Sequence, residues 1–179
     1  LKAAFNSEFV EGQTQTYKLC DLTTAAEEDV VQVLVQWLYT QKLELEALTL
    51  ADEDISKNFN RNVTLATKLW VLADKLVIRN LQNQAMDYIW TAQETTKYVG
   101  TSVLNFVHQH ALIGNPLRRI FVMFCAQNVP STWYMAHATQ FPHYMLLELV
   151  EHLAKHGKAK VSRTPAGSME SFHVEVRST

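Results

Sequence analysis

His152 and His156 stand four residues apart, the spacing at which two imidazoles share one helix face and can close on a metal ion. No Glu follows His152 as in the zinc proteases, and no third ligand is evident. Two histidines near the negative end of a helix account for the spacing better. His108 and His110 are two apart, leave a regular helix on different sides and cannot chelate together. Cys125 lies in an apolar helical run, where burial raises a thiol pKa, and Cys20 is far from it in sequence. Both read as reduced, buried thiols rather than a disulfide framework. Ser102 and Ser131 fall at helix-cap positions without a glycine elbow, so no nucleophilic triad is indicated. Asp74 and Lys75 are neighbours on a helix and do not face each other, which gives them a structural role. Arg118 and Arg119 beside Phe121 are too few for a nucleic-acid stripe. Trp37, Trp70, Trp90 and Trp133 read as core rather than as a stacking platform. The sequence therefore predicts no catalytic, cofactor-binding or metal-ligating residues.

Composition points the same way. Of 179 residues, 47% are hydrophobic and 19% charged, which suits a globular body of one domain, or a domain with an extension. The formal charge is −2, so neither nucleic acid nor an anionic membrane is the default partner. No run of 18 apolar residues predicts a membrane span. The chain opens on Leu1 with what reads as the end of a helix, and is expected to be a piece of something longer.

The pattern to position these residues is mostly helical. Residues 65–81 hold Leu65, Leu69, Leu72 and Leu76 at spacings of four, three and four, one buried helix face, with small Ala66 and Ala73 beside it and Asn62 as the N-cap. Thr24 and Glu27 form a capping box for a helix running to about Tyr39. Its face of Val30, Val33, Leu34, Trp37 and Leu38, thickened by Val31, Val35 and Tyr39, predicts a central helix with little exposure. Residues 16–22 and 42–45 read as short strands, and residues 48–60 as a polar loop or loose helix start. A helix follows from about Ile78 to Ala92. Thr101 opens a helix closed by Gly114, and Asn115-Pro116 opens the next, which presents Leu117, Ile120, Phe121 and Phe124. After a break at residues 129–131, Phe141-Pro142 opens the last helix, with Leu146, Leu149, Val150 and Leu153 on one face. Residues 157–179 read as a polar, mobile tail, in which Phe172, Val174 and Val176 alternate like a late edge strand.

Ala3-Ala4-Phe5, residues 9–12, residues 19–22, residues 35–43 with WLYT, and residues 69–85 with LADKL follow one another in a familiar order. In that order the chain resembles the BTB/POZ domain, in the form common in filamentous fungi. The resemblance covers about residues 1–92, and WLYT and LADKL at their separation are its specific part. Residues 98–156, with Pro116-Leu117-Arg118-Arg119, resemble the helical extension that follows the domain in those proteins. The family's first two strands and helix would precede Leu1 and are not in the sequence. The resemblance implies an α+β, predominantly α-helical fold: a partial BTB/POZ domain over residues 1–97, with a short sheet remnant against a helical cluster, then a helical extension over residues 98–156. It implies a protein–protein interaction module without catalysis. The role would be substrate adaptor to a cullin scaffold in a ubiquitin ligase or, alternatively, an oligomeric scaffold in transcription or cell architecture. A homo-oligomer is implied too, although the elements that build much of the family's dimer surface are the ones missing. Phe9, Val10 and Glu11 resemble the hydrophobic-x-Glu element with which some members bind a cullin; physically they are an apolar anchor with a flanking carboxylate.

Overall fold

A computed structural model describes residues 27–45, 48 and 54–156. Its elements are α1 (Glu27–Thr40), α2 (Ile55–Lys75), α3 (Arg79–Thr96), a 3-10 turn (Thr101–Val103) running into α4 (Leu104–His110), α5 (Pro116–Asn128), α6 (Ser131–Ala136), a second 3-10 turn (Ala138–Gln140) and α7 (His143–His156).

α2 is the centre. Its first turns look polar in sequence, but Phe59 and Val63 point inward at a spacing of four while Ser56, Lys57, Asn60 and Arg61 face water. Helix therefore begins at Ile55, well before the expected start. Asn62, expected to cap it, is instead a buried residue in its interior. Two cores meet on α2. On one side Phe59, Val63, Ala66 and Trp70 join Ala85 and Ile89 of α3, Leu104 and Val107 of α4, Phe121 and Phe124 of α5, and Met145 and Leu149 of α7. On the other, Leu69, Leu72 and Ala73 join Val30, Leu34 and Trp37 of α1. The larger core runs without interruption across residues 97 and 98. Gly100 sits at that crossing, where a Cβ would come within 3.2 Å of a Val63 methyl and 3.3 Å of a Val103 methyl, closer than side chains normally pack.

Among the described residues there is no strand, so the α+β expectation is corrected: this body is helical and no sheet remnant is seen in it. Residues 42–45, expected as a strand, form none. Their partner is a side chain and not a ladder. Gln84 Oε1 accepts from the Leu43 N–H at 2.7 Å and from Trp37 Nε1 at 3.3 Å, while Gln84 Nε2 donates to the Gln41 carbonyl at 3.2 Å. One amide satisfies the groups a neighbouring strand would otherwise have taken. Residues 16–22 and 172–176, the other strand expectations, lie outside the described residues.

Two helix faces also differ from expectation. α1 buries Val30, Leu34 and Trp37, but Val35, Leu38 and Tyr39 are exposed, so its buried stripe is narrow and the helix is not enclosed. α7 buries Met145 and Leu149, and leaves Leu146, Val150 and Leu153 outside. The Asn115-Pro116 start of α5 holds as expected: Asn115 Oδ1 accepts from the Leu117 N–H at 2.9 Å, with Pro116 at the first helical position.

The LADKL run closes α2. Ile78 N–H donates to the Ala73 carbonyl at 2.8 Å and Val77 N–H to Asp74 at 3.1 Å, the paired bonds of a Schellman turn. Ile78 packs against the core that holds Leu72 and Ala73. The residue after the cap must then be left-handed, and it is Val77, with φ 56° and its side chain exposed. A β-branched side chain is strained there, where glycine is at ease. Val77→Gly is expected to raise unfolding stability by about 1 kcal/mol, read by urea denaturation, and an unchanged or lower midpoint would contradict the strain.

Candidate functional site

A buried polar cluster joins α4, α5 and α7. Arg118 projects from the first turn of α5 and is only 5% exposed. Its Nη2 meets Glu148 Oε1 of α7 at 2.7 Å, and its Nη1 donates to the Ala111 carbonyl at 3.3 Å. Its Nε is buried with no acceptor among the described residues. The other oxygen of Glu148 lies 3.3 Å from His108 Nε2 of α4. His108 Nδ1 lies 3.0 Å from the Leu104 carbonyl one turn back.

Both ring nitrogens of His108 thus face acceptors, and a neutral imidazole has a single proton to share between them. The imidazolium would satisfy both. Burial opposes that charge, and the Arg118 guanidinium opposes it as well. The result is a pKa below the ordinary histidine value, despite the pull of Leu104 and Glu148. The ring is also shut in, its side chain 5% exposed. It can therefore hold α4 to α7, but a substrate has no route to it.

Beside this cluster an open cleft of about 800 Å³ runs between α5 and α7, with Met86 of α3 at its side. Arg118 and Glu148 form part of its floor. Arg119, His152 and His156 line it, and so do Glu151 and Lys155, which pair with each other. Burial, then the adjacent His156, holds His152 below its ordinary pKa. α7 therefore carries three faces: Met145 and Leu149 inward, the cleft side, and an exposed apolar stripe of Leu146, Leu147, Val150 and Leu153.

The structure separates most of the residues that the sequence grouped. The rings of His152 and His156 stack at 4.4 Å, and His156 Nδ1 lies 2.9 Å from the His152 carbonyl. Among the described residues no group of three or more His, Cys, Asp or Glu could hold a metal ion. His110 packs on Phe106, on a different side from His108. Cys125 is buried, and desolvation pushes its thiol up to about 12. Asp74 accepts from Gln82 Nε2 at 2.9 Å, a structural bond at the α2–α3 turn. Trp37 and Trp70 are core, while Trp90 and Trp133 are partly exposed. Phe9, Val10 and Glu11 lie outside the described residues. The Arg118–Glu148–His108 cluster was missed in the sequence. The available signal was Glu148, a lone charge in the apolar run YMLLELV.

Compared with family models, with curated proteins and with solved structures, the chain matches none.

Two expectations follow for the cluster. Glu148→Ala strands a buried guanidinium and is expected to cost about 3 kcal/mol, measured by urea denaturation at pH 7.5; a loss below 1 kcal/mol would mean that Arg118 finds another acceptor or water. His108 binds its proton less readily folded than unfolded. Its contribution is therefore whole above the unfolded pKa near 6.5 and is lost as pH falls from there toward the lower folded value. Between pH 7.5 and 5.5 the wild type should lose more stability than His108→Gln does, and equal losses would place His108 outside the effect.

Proposed function

We propose that this chain is a protein–protein interaction module of the BTB/POZ kind, serving as a substrate adaptor to a cullin scaffold. The observation that carries the interaction reading is the outer face of α7. Leu147 and Val150 are more than half exposed, with Leu146 and Leu153 beside them, so four apolar side chains stand within eight residues of one helix. Singly scattered exposed leucines are ordinary, but a contiguous patch is what a partner covers. The family resemblance adds support, since Trp37 of WLYT and Leu72 and Ala73 of LADKL pack into one core. The finer assignment, to a cullin, rests on Phe9, Val10 and Glu11, an apolar anchor beside a carboxylate. The proposal assigns no catalysis. His108 and Cys125 are enclosed, and Cys125 is held as the thiol. The oligomeric scaffold is the second reading, favoured by the same stripe on α7, which would suit a copy of itself as well as a foreign partner.

Calorimetric titration of the purified chain with the N-terminal domain of a cullin tests the assignment. Micromolar binding that Phe9→Ala and Glu11→Ala each weaken by tenfold or more, with both variants folded, is the expected result. A folded chain that does not bind, and whose mass by sedimentation rises with concentration until Val150→Asp abolishes the rise, would move the assignment to the scaffold.

A further inference from the structure

We infer that the cleft between α5 and α7 is a docking groove for an acidic peptide segment of a protein partner, one that carries an apolar side chain next to its carboxylates. This rests on reading the chain as an interaction module and says where, and to what chemistry, it would bind.

Charge is the first ground. Within the cleft Arg118 is matched by Glu148, and Lys155 by Glu151. Arg119 is exposed on the cleft wall and has no ion-pair partner among the described residues. His152 and His156 face the same space. The unpaired charge of the cleft is thus the Arg119 guanidinium, and a carboxylate is its complement.

Shape and lining are the second ground. The lining is also apolar and adaptable on the α5 and α3 side, with Ile120, Met123 and Met86, and methionine repacks around varied guests. A volume of about 800 Å³ takes a few residues of an extended or helical peptide, and the cleft is open along its length rather than closed like a small-molecule cavity. The helix start of α5 adds no anion site of its own. Pro116 has no N–H, Asn115 already takes the Leu117 N–H, and the Arg119 N–H is bonded to the Asn115 carbonyl. The reading is therefore of side chains, which select a peptide by its charges. The sequence directly after α7 carries Lys158, Lys160 and Arg163, the cleft's own sign, and its carboxylates come only at Glu170 and Glu175.

The experiment is selection of a random 12-residue peptide library displayed on phage against the full chain, with selected peptides then measured by fluorescence anisotropy. Arg119→Glu, Arg119→Ala and Val150→Asp are the variants, each at an exposed position and each first matched to the wild type in circular dichroism and Tm. Expected are peptides rich in Asp or Glu flanking an apolar residue. Their affinity should fall at least tenfold in Arg119→Glu, less in Arg119→Ala, and little in Val150→Asp, and should weaken as salt is raised. Peptides without acidic residues, or peptides that Arg119→Glu still binds, would overturn the inference. If those peptides are lost in Val150→Asp, the groove fails while the interaction reading stands on the α7 stripe. Failure to enrich any peptide also overturns the groove, and leaves the cullin titration as the separate judge of the module.

Discussion

α2 is buried on two sides at once, and that single demand arranges the rest. Ala66 and Ala73 are wholly buried and offer no bulk, so helices can approach the α2 axis closely at both points. Ala66 belongs to the core shared with α3, α4, α5 and α7, and Ala73 to the core shared with α1. A larger residue at either place would drive two layers apart rather than one side chain outward. The chain must then leave α2 abruptly to bring α3 back along it. The Schellman turn at residues 76–78 does so, although it holds a valine in a left-handed backbone. That local strain persists because the packing of α3 on α2 over-determines the turn.

α7 is attached differently. It buries Met145 and Leu149 fully, worth about 3–6 kcal/mol together, and the remainder of its inward side is the carboxylate of Glu148. Stranding the guanidinium under it would cost about 3 kcal/mol, so a polar latch is of the same order as the helix's own packing. Such a latch differs from packing in kind. It fixes register, because Glu148 meets Arg118 with one oxygen and His108 with the other, and it is sensitive to proton concentration, which leucines are not.

The helical elements were legible because they depend on period. The spacing of Leu69 and Leu72 and the Asn115-Pro116 start lie in the local sequence, and α1, α3 and α5 follow it, whereas the stop after Lys75 falls inside the stripe read over residues 65–81. What was not legible depends on residues distant in the chain. Residues 42–45 have strand-like composition, and only the arrival of Gln84, some forty positions on, replaces a ladder with a side chain. Glu148 is likewise a polar intrusion until Arg118 and His108 are brought to it. On α7, Leu146, Leu149, Val150 and Leu153 form one stripe by spacing alone. The seating of the helix, set by Glu148, turns that stripe so that Leu149 is its only fully buried member. The candidate contact at Phe9, Val10 and Glu11 is legible in the sequence alone and lies outside the described residues.

The same seating explains why α7 leaves apolar side chains exposed. A helix held by a broad apolar face has its outward side set by default as polar. Here the inward attachment needs little apolar surface, because a charge pair does part of the work. The helix can therefore spend its other leucines and valine on the outside and still stay in place. Rotating α7 to bury Val150 and Leu153 would withdraw Glu148 from Arg118 and leave a guanidinium in the core without a counter-charge. The exposed stripe and the cation-lined cleft are thus two consequences of one buried ion pair: Glu148 sets which faces of α7 are left over for others to meet.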